Sequence, residues 1–411
     1  MPEIKKRWLY LALAWIMLFL NGYVYAWSVI RVPLERPPYN MPPVESVLPS
    51  SISAILTSVL MLPSAVILNR LGPKKTASLG GLLAALSCIL SSTIALMPDK
   101  ALWILILTCG IGNPAGMSLM YITALRLAEQ WFTEKIGFAT GTVLTGLGIS
   151  AFVMGPFIYT LYSAYGLANA FLLLGILLLV LPFLGNFLRF PLQTAKPQEA
   201  RSMHKPQIEY SWKEMIRSRE FYLSWAIYAI GAGAGMSINL NATQMAINLV
   251  KLTEESMIIA AFAPSVFSIG NCAGRFIMGF LCDRIGPRYT ILIMQIMQFL
   301  CLALLFPSGT VLWILYAALI LYGLTYGGYL SVMPTLTRYY FGSKYYPQNY
   351  AIYFIAIGVG NSILPPLATS IIGPKPTYEG YLKSFNILEI LILIGIVFCI
   401  LVKEKKYLKD N

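Results

Sequence analysis

The sequence predicts an all-α membrane protein whose twelve transmembrane helices form two pseudo-symmetric six-helix bundles. Three observations carry this expectation. Of 411 residues, 57% are hydrophobic and only 11% charged; a soluble globular protein is about 25% charged. Most of the chain therefore faces something other than water. Long apolar runs such as "ALWILILTCGIG" and "ILEILILIGIVFCILV" sit in segments of the ~20 residues that a bilayer core requires of a helix. Finally, short motifs of the first half recur in the second.

The twelve segments fall near 8–30, 47–69, 74–97, 101–130, 136–161, 167–189, 219–248, 257–282, 288–306, 311–340, 348–372 and 380–402. The first lacks a small-residue cleavage site and reads as a retained helix rather than a signal peptide. The Pro-rich stretch from Arg31 to Glu45 reads as an external loop. The longest polar interval, Phe190 to about Arg219, holds Pro191, Pro197 and Pro206. It divides the chain into an N-terminal bundle (1–189), a cytoplasmic linker (190–218) and a C-terminal bundle (219–411), with a short amphipathic helix expected near "SWKEMIRSRE".

The net charge of +13 raises nucleic acid as a partner, but its distribution favours a membrane. With the N-terminus inside, only six basic residues are external: Arg31, Arg36, Lys100, Lys251, Lys375 and Lys383. Of the 30 Lys and Arg, 23 are cytoplasmic and one, Arg275, belongs to neither side. That bias places both termini in the cytoplasm. The six cysteines lie singly in helices and read as small packing residues, with no disulfide framework, metal site or cofactor expected. The single histidine, His204, reads as a solvated linker residue.

The repeat is specific. "AVILNRLGPKK" after helix 2 matches "GFLCDRIGPRY" after helix 8 at an offset of 214, and Phe132 and Lys135 match Phe341 and Lys344 at an offset of 209. Parallel six-helix repeats of this kind are a transporter architecture, with the substrate held between the halves near the midplane. Gly72 and Gly286 suit a tight helix stop.

The small-x-x-x-Asp-Arg-x-Gly-x-Arg/Lys pattern resembles the signature of the major facilitator superfamily. That resemblance implies a gate at the cytoplasmic ends, made here by Asp283 and Arg284 and by Asn69 and Arg70, with Asn69 standing where an Asp is usual. "NGYVYAWSVIRVPLE" in helix 1 and Asn271-x-x-x-Arg275 in helix 8 are similar to the oxalate–formate antiporter and monocarboxylate transporter group.

Arg275 lies eight residues before Asp283, about 12 Å from the end of its helix and close to the bilayer centre. A charge there costs roughly 2.5–3.5 kcal/mol and usually faces a cavity or a partner. Guanidinium is permanently protonated and matches a carboxylate through two parallel hydrogen bonds, so Arg275 reads as a carboxylate ligand. The alternatives are a structural pair with an acid or snorkelling to the inner surface. Asn271, one turn earlier, faces the same way and cannot titrate; the animal carriers are similar but hold an Asp there. Tyr121, Tyr326 and Tyr25 are candidate cavity walls, each with interfacial anchoring or core packing as the alternative. Glu389 in helix 12 reads as structural, and Arg126 with Glu129 as a helix-end pair.

The oxalate carriers that the chain resembles place a second cation in helix 11. Here the position falls at Ile357, which favours one carboxylate over two. The expected function is a monomeric secondary active transporter in the plasma membrane. It would move a small monocarboxylate such as lactate, pyruvate or acetate by alternating access, with protons as coupled partners. An oxalate–formate exchanger and a carboxylate-sensing receptor are the alternatives. No paired carboxylates, metal cluster or nucleophile–base constellation suggests an enzyme.

Overall fold

The computed structural model describes residues 2–132, 136–191, 209–253, 256–342 and 344–402. Nearly all of this chain is helical, in eleven apolar runs long enough to cross a membrane. One of them, Pro43–Ala95, has 53 residues and would be about 80 Å long if straight. It breaks at Gly72, whose φ of 74° and ψ of 172° are not helical, and so contributes two crossings. The twelve are α1 Lys6–Leu34, α2 43–71, α3 73–95, α4 Pro98–Trp131, α5 Phe138–Tyr165, α6 Leu167–Gly185, α7 Arg219–Leu249, α8 Met257–Ile285, α9 Pro287–Leu305, α10 Leu312–Phe341, α11 Gln348–Ile372 and α12 Tyr378–Leu401. Twelve crossings put the first and last described residues, Pro2 and Val402, on one face, called here the terminal face; the opposite one is the distal face.

The repeat seen in the sequence is also conformational. Gly286, the counterpart of Gly72, has φ 86° and ψ 161°. Both values lie where a side chain is strained and glycine is not, and both turns sit on the terminal face.

Burial separates central from peripheral helices. In the most apolar window of α7, 72% of residues are buried, against 33% in α12. The outer faces expose large apolar side chains such as Leu107, Phe276, Ile277 and Val397, as a lipid-facing surface requires. The two halves meet where α2 packs on α11 and α5 on α8.

The Arg31–Glu45 stretch is shorter as a loop than the sequence suggests. α1 continues to Leu34 and the next helix begins at Pro43, where proline's missing N–H has no intrahelical partner to lose. Arg31 is therefore not an external loop residue; it is helical and buried.

Of the linker, His204, Pro197 and Pro206 lie outside the described residues, as does Lys135. The linker's end is ordered against the second half: Tyr210 N–H donates to Phe341 O at 3.0 Å and Asn349 Nδ2 to Tyr210 O at 2.9 Å. The expected helix is a single turn, Trp212–Met215. It starts with a capping box in which Ser211 N–H and Oγ both lie 2.7 Å from Glu214 Oε2. Those bonds hold the Glu214 carboxyl below the usual carboxylate range.

Candidate functional site

Two helices of the first half lose regular α geometry near the middle of the bundle. α1 tightens to a 3-10 helix at Gly22–Ala26, and α4 widens to a π-helix at Ile106–Gly112. Such departures free backbone groups and redirect side chains, and they concentrate at functional sites. Both border the same cavity: Val24, Tyr25 and Trp27 line it from α1, Cys109, Asn113, Met117 and Tyr121 from α4. Across from them, α8 contributes Arg275, α10 Tyr326, and α11 Phe354, Ile357 and Asn361. The cavity thus lies between the halves.

Its volume is about 100 Å³, counted as space open to the centre of a water molecule. One water needs roughly 10–15 Å³ by this measure. Several waters or a small organic anion fit.

Arg275 is the charged residue of this wall. It is 6% exposed, and none of its Nε, Nη1 and Nη2 atoms has a hydrogen-bond partner. An unpaired buried charge is costly. The guanidinium therefore creates a strong local preference for an anion, and its planar fork selects an oxygen pair. Gly148 on α5 gives it room: a Cβ there would lie 3.3 Å from Arg275 Nε. No Asp, Glu or His lines the cavity among the described residues.

The aromatic candidates converge on the same space. The Tyr25 and Tyr326 rings meet edge to face with centroids 6.4 Å apart, and Tyr121 lies 5.9 Å from Phe354. Tyr326 Oη accepts from Asn361 Nδ2 at 3.2 Å, so it retains a proton to donate. Asn271 is buried but is not part of the cavity wall. Its backbone is pressed on Gly327 of α10, and its Oδ1 has no partner. Ile357 lines the cavity, so the second cation is absent from the wall itself. Glu389 is half-buried in α12 and away from the cavity, while Arg126 and Glu129 form the expected pair at 3.5 Å.

The four gate candidates, Asn69, Arg70, Asp283 and Arg284, are all exposed on the terminal face. Arg284 lies over the Phe280 ring at 4.4 Å. Among the described residues, no ion pair joins the halves on this face. The distal face is different. Thr243 Oγ1 bonds Ser28 Oγ at 3.0 Å, Asn239 Nδ2 donates to Tyr25 O at 3.0 Å and Gln244 Nε2 to Ser28 O at 3.3 Å. Arg31 crosses there too, with Nη1 2.6 Å from Leu240 O and 2.9 Å from Asn241 Oδ1. α5 and α8 add Ser265 Oγ to Ala151 O at 3.0 Å and a bond from Ser268 Oγ to Gly148 O. Sequence reasoning missed Arg31 and the cavity residues Asn113 and Asn361. The one available signal was Glu35 four residues after Arg31, an opposite charge on the same helix face.

The family model of the Major Facilitator Superfamily matches residues 8–257 and 252–411, together almost the whole chain. The chain belongs to the Major Facilitator Superfamily. A facilitator is a membrane transporter, and the curated relatives of this one agree. It is 25% identical over 364 residues to the oxalate:formate antiporter of Oxalobacter formigenes, covering 86% of this chain and 82% of that one. It is 24% identical over 388 residues to monocarboxylate transporter 12-B of Danio rerio, covering 86% and 79%. The facilitator fold is also that of a bacterial homologue of the human lysosomal transporter Spinster. That structure superposes with a TM-score of 0.75 over 95% of this chain and 96% of the other at 12% identity.

Proposed function

We propose that this facilitator is a monomeric secondary carrier for small monocarboxylates of the lactate, pyruvate or acetate kind, working by alternating access. The observation that carries this reading is the buried, unpartnered guanidinium of Arg275 in the cavity between the halves. A carboxylate accepts two parallel hydrogen bonds along one edge of that fork, and the apolar and phenolic walls accommodate a short tail. The positive-inside bias supports a plasma-membrane location with the terminal face cytoplasmic.

We favour proton linkage. With no acid lining the cavity among the described residues, a coupled proton is carried by a group outside the wall, and Asn271, an amide, plays no part in carrying it. Oxalate–formate exchange is the second reading, supported by the similarity to the antiporter. Ile357 weighs against it, because a dianion meets one cation and an alkyl wall.

The test is labelled L-lactate uptake into proteoliposomes, either empty or preloaded with unlabelled lactate, with and without an inward proton gradient. Gradient-stimulated uptake into empty vesicles is the expected result. Uptake into preloaded vesicles alone makes the protein an exchanger. Oxalate uptake in place of lactate overturns the monocarboxylate reading.

A further inference from the structure

Arg31 is 1% exposed, and its guanidinium is shared between the two halves. Nε and Nη2 stay in the first half. Nε donates to Ser46 Oγ at 2.9 Å and Glu35 Oε1 at 3.1 Å, and Nη2 pairs with Glu35 Oε1 at 2.9 Å. Nη1 crosses to α7, onto Leu240 O and Asn241 Oδ1. Asn241 is itself fixed, its Nδ2 donating to Ser237 O at 2.9 Å. One edge of the side chain is thus held within the first half and the other bonds across the seam to the second.

We propose, on the alternating-access reading above, that Arg31 locks the distal gate: opening the cavity to that side requires Nη1 to leave Leu240 and Asn241 while Glu35 and Ser46 keep the guanidinium paired. The anchor matters energetically. Because the charge is never left bare, releasing α7 breaks two hydrogen bonds and does not strand a buried ion. The bonds of Tyr25, Ser28, Asn239, Thr243 and Gln244 lie along the same strip and release with it. On the terminal face Glu129 and Arg338 attract each other across the seam only at longer range, and among the described residues no hydrogen bond or close ion pair joins the halves there, so the lock biases the empty carrier towards opening on that side.

The decisive measurement is amide hydrogen exchange of the full chain in lipid nanodiscs without substrate. It compares Asn241→Ala with the unchanged protein. This variant removes one cross-half acceptor and leaves the Arg31–Glu35 pair intact. Exchange around the distal strip, in α1 beyond Trp27 and in α7 from Ser237 to Asn248, should rise about tenfold or more. Exchange at the terminal-face turns near Gly72 and Gly286 should fall together with it. Arg31→Lys, which keeps the charge but cannot hold both edges, should move both faces in the same directions. Unchanged exchange at the distal strip overturns the lock. A rise on both faces also overturns it, because it makes Arg31 merely structural. The empty protein is used, so a wrong substrate assignment leaves the result valid, and a failed lock leaves the Arg275 site standing.

Discussion

Arg31 and Arg275 are the same side chain at nearly the same burial, 1% and 6% exposed, and their surroundings are opposite. Arg31 meets a carboxylate, a hydroxyl, an amide oxygen and backbone carbonyls. Arg275 meets no acceptor. Burial alone does not tell what an intramembrane charge is for. Its unmet hydrogen-bonding capacity does. A saturated guanidinium joins parts of the protein; an unsaturated one beside a cavity waits for an anion.

The comparison breaks most visibly when each arginine is made apolar. Arg275→Met should abolish carboxylate uptake yet stabilise the fold, by up to about 2.5–3.5 kcal/mol, because it removes an uncompensated intramembrane charge. Arg31→Met should destabilise by about 3–5 kcal/mol, because it strips the partners of a buried pair. Thermal unfolding of both in one detergent checks the opposite signs, and equal losses of stability would erase the distinction.

A smaller effect follows from Arg275→Lys, which keeps the charge and loses the fork. Transport efficiency should fall roughly 10- to 100-fold, the equivalent of a lost charged hydrogen bond. Near-normal uptake would remove Arg275 from the site. Ile357→Lys adds a second cation to the cavity wall and should raise the preference for oxalate over lactate about tenfold, read as the ratio of initial uptake rates. Gly148→Ala is the mildest. Its Cβ would sit 3.3 Å from Arg275 Nε and should weaken uptake by a few-fold without changing stability much.

The fold and Arg275 were legible in the sequence for one reason: lipid tolerates a narrow range of residues. Twelve apolar segments and a lone internal cation stand out against that background. The glycine turns at Gly72 and Gly286 were legible because the same spacing occurs twice. Arg31 was not. It sits at a helix end beside a Pro-rich stretch, where a basic residue is ordinary, and its cross-half partners lie 209 and 210 residues away. The break at Gly22–Ala26 left no mark either, since its residues "GYVYA" suit a regular helix as well as a tight one. Asn113 and Asn361 look like any polar residue in a membrane helix until the cavity shows what they border. Asn271 shows the converse, a sequence-paired neighbour of Arg275 whose backbone is pressed on α10.

The distal strip has one more property. Leu240, Tyr25 and Ser28 each accept there through a backbone carbonyl, and every residue type supplies one. Substitution drift at positions 240 and 25 therefore leaves those bonds intact, whereas Arg31 has no substitute with the same reach and fork. The seam is therefore tolerant of substitution where it uses carbonyls and fragile where it uses side chains, at Arg31 on α1 and at Asn239, Asn241, Thr243 and Gln244 on α7.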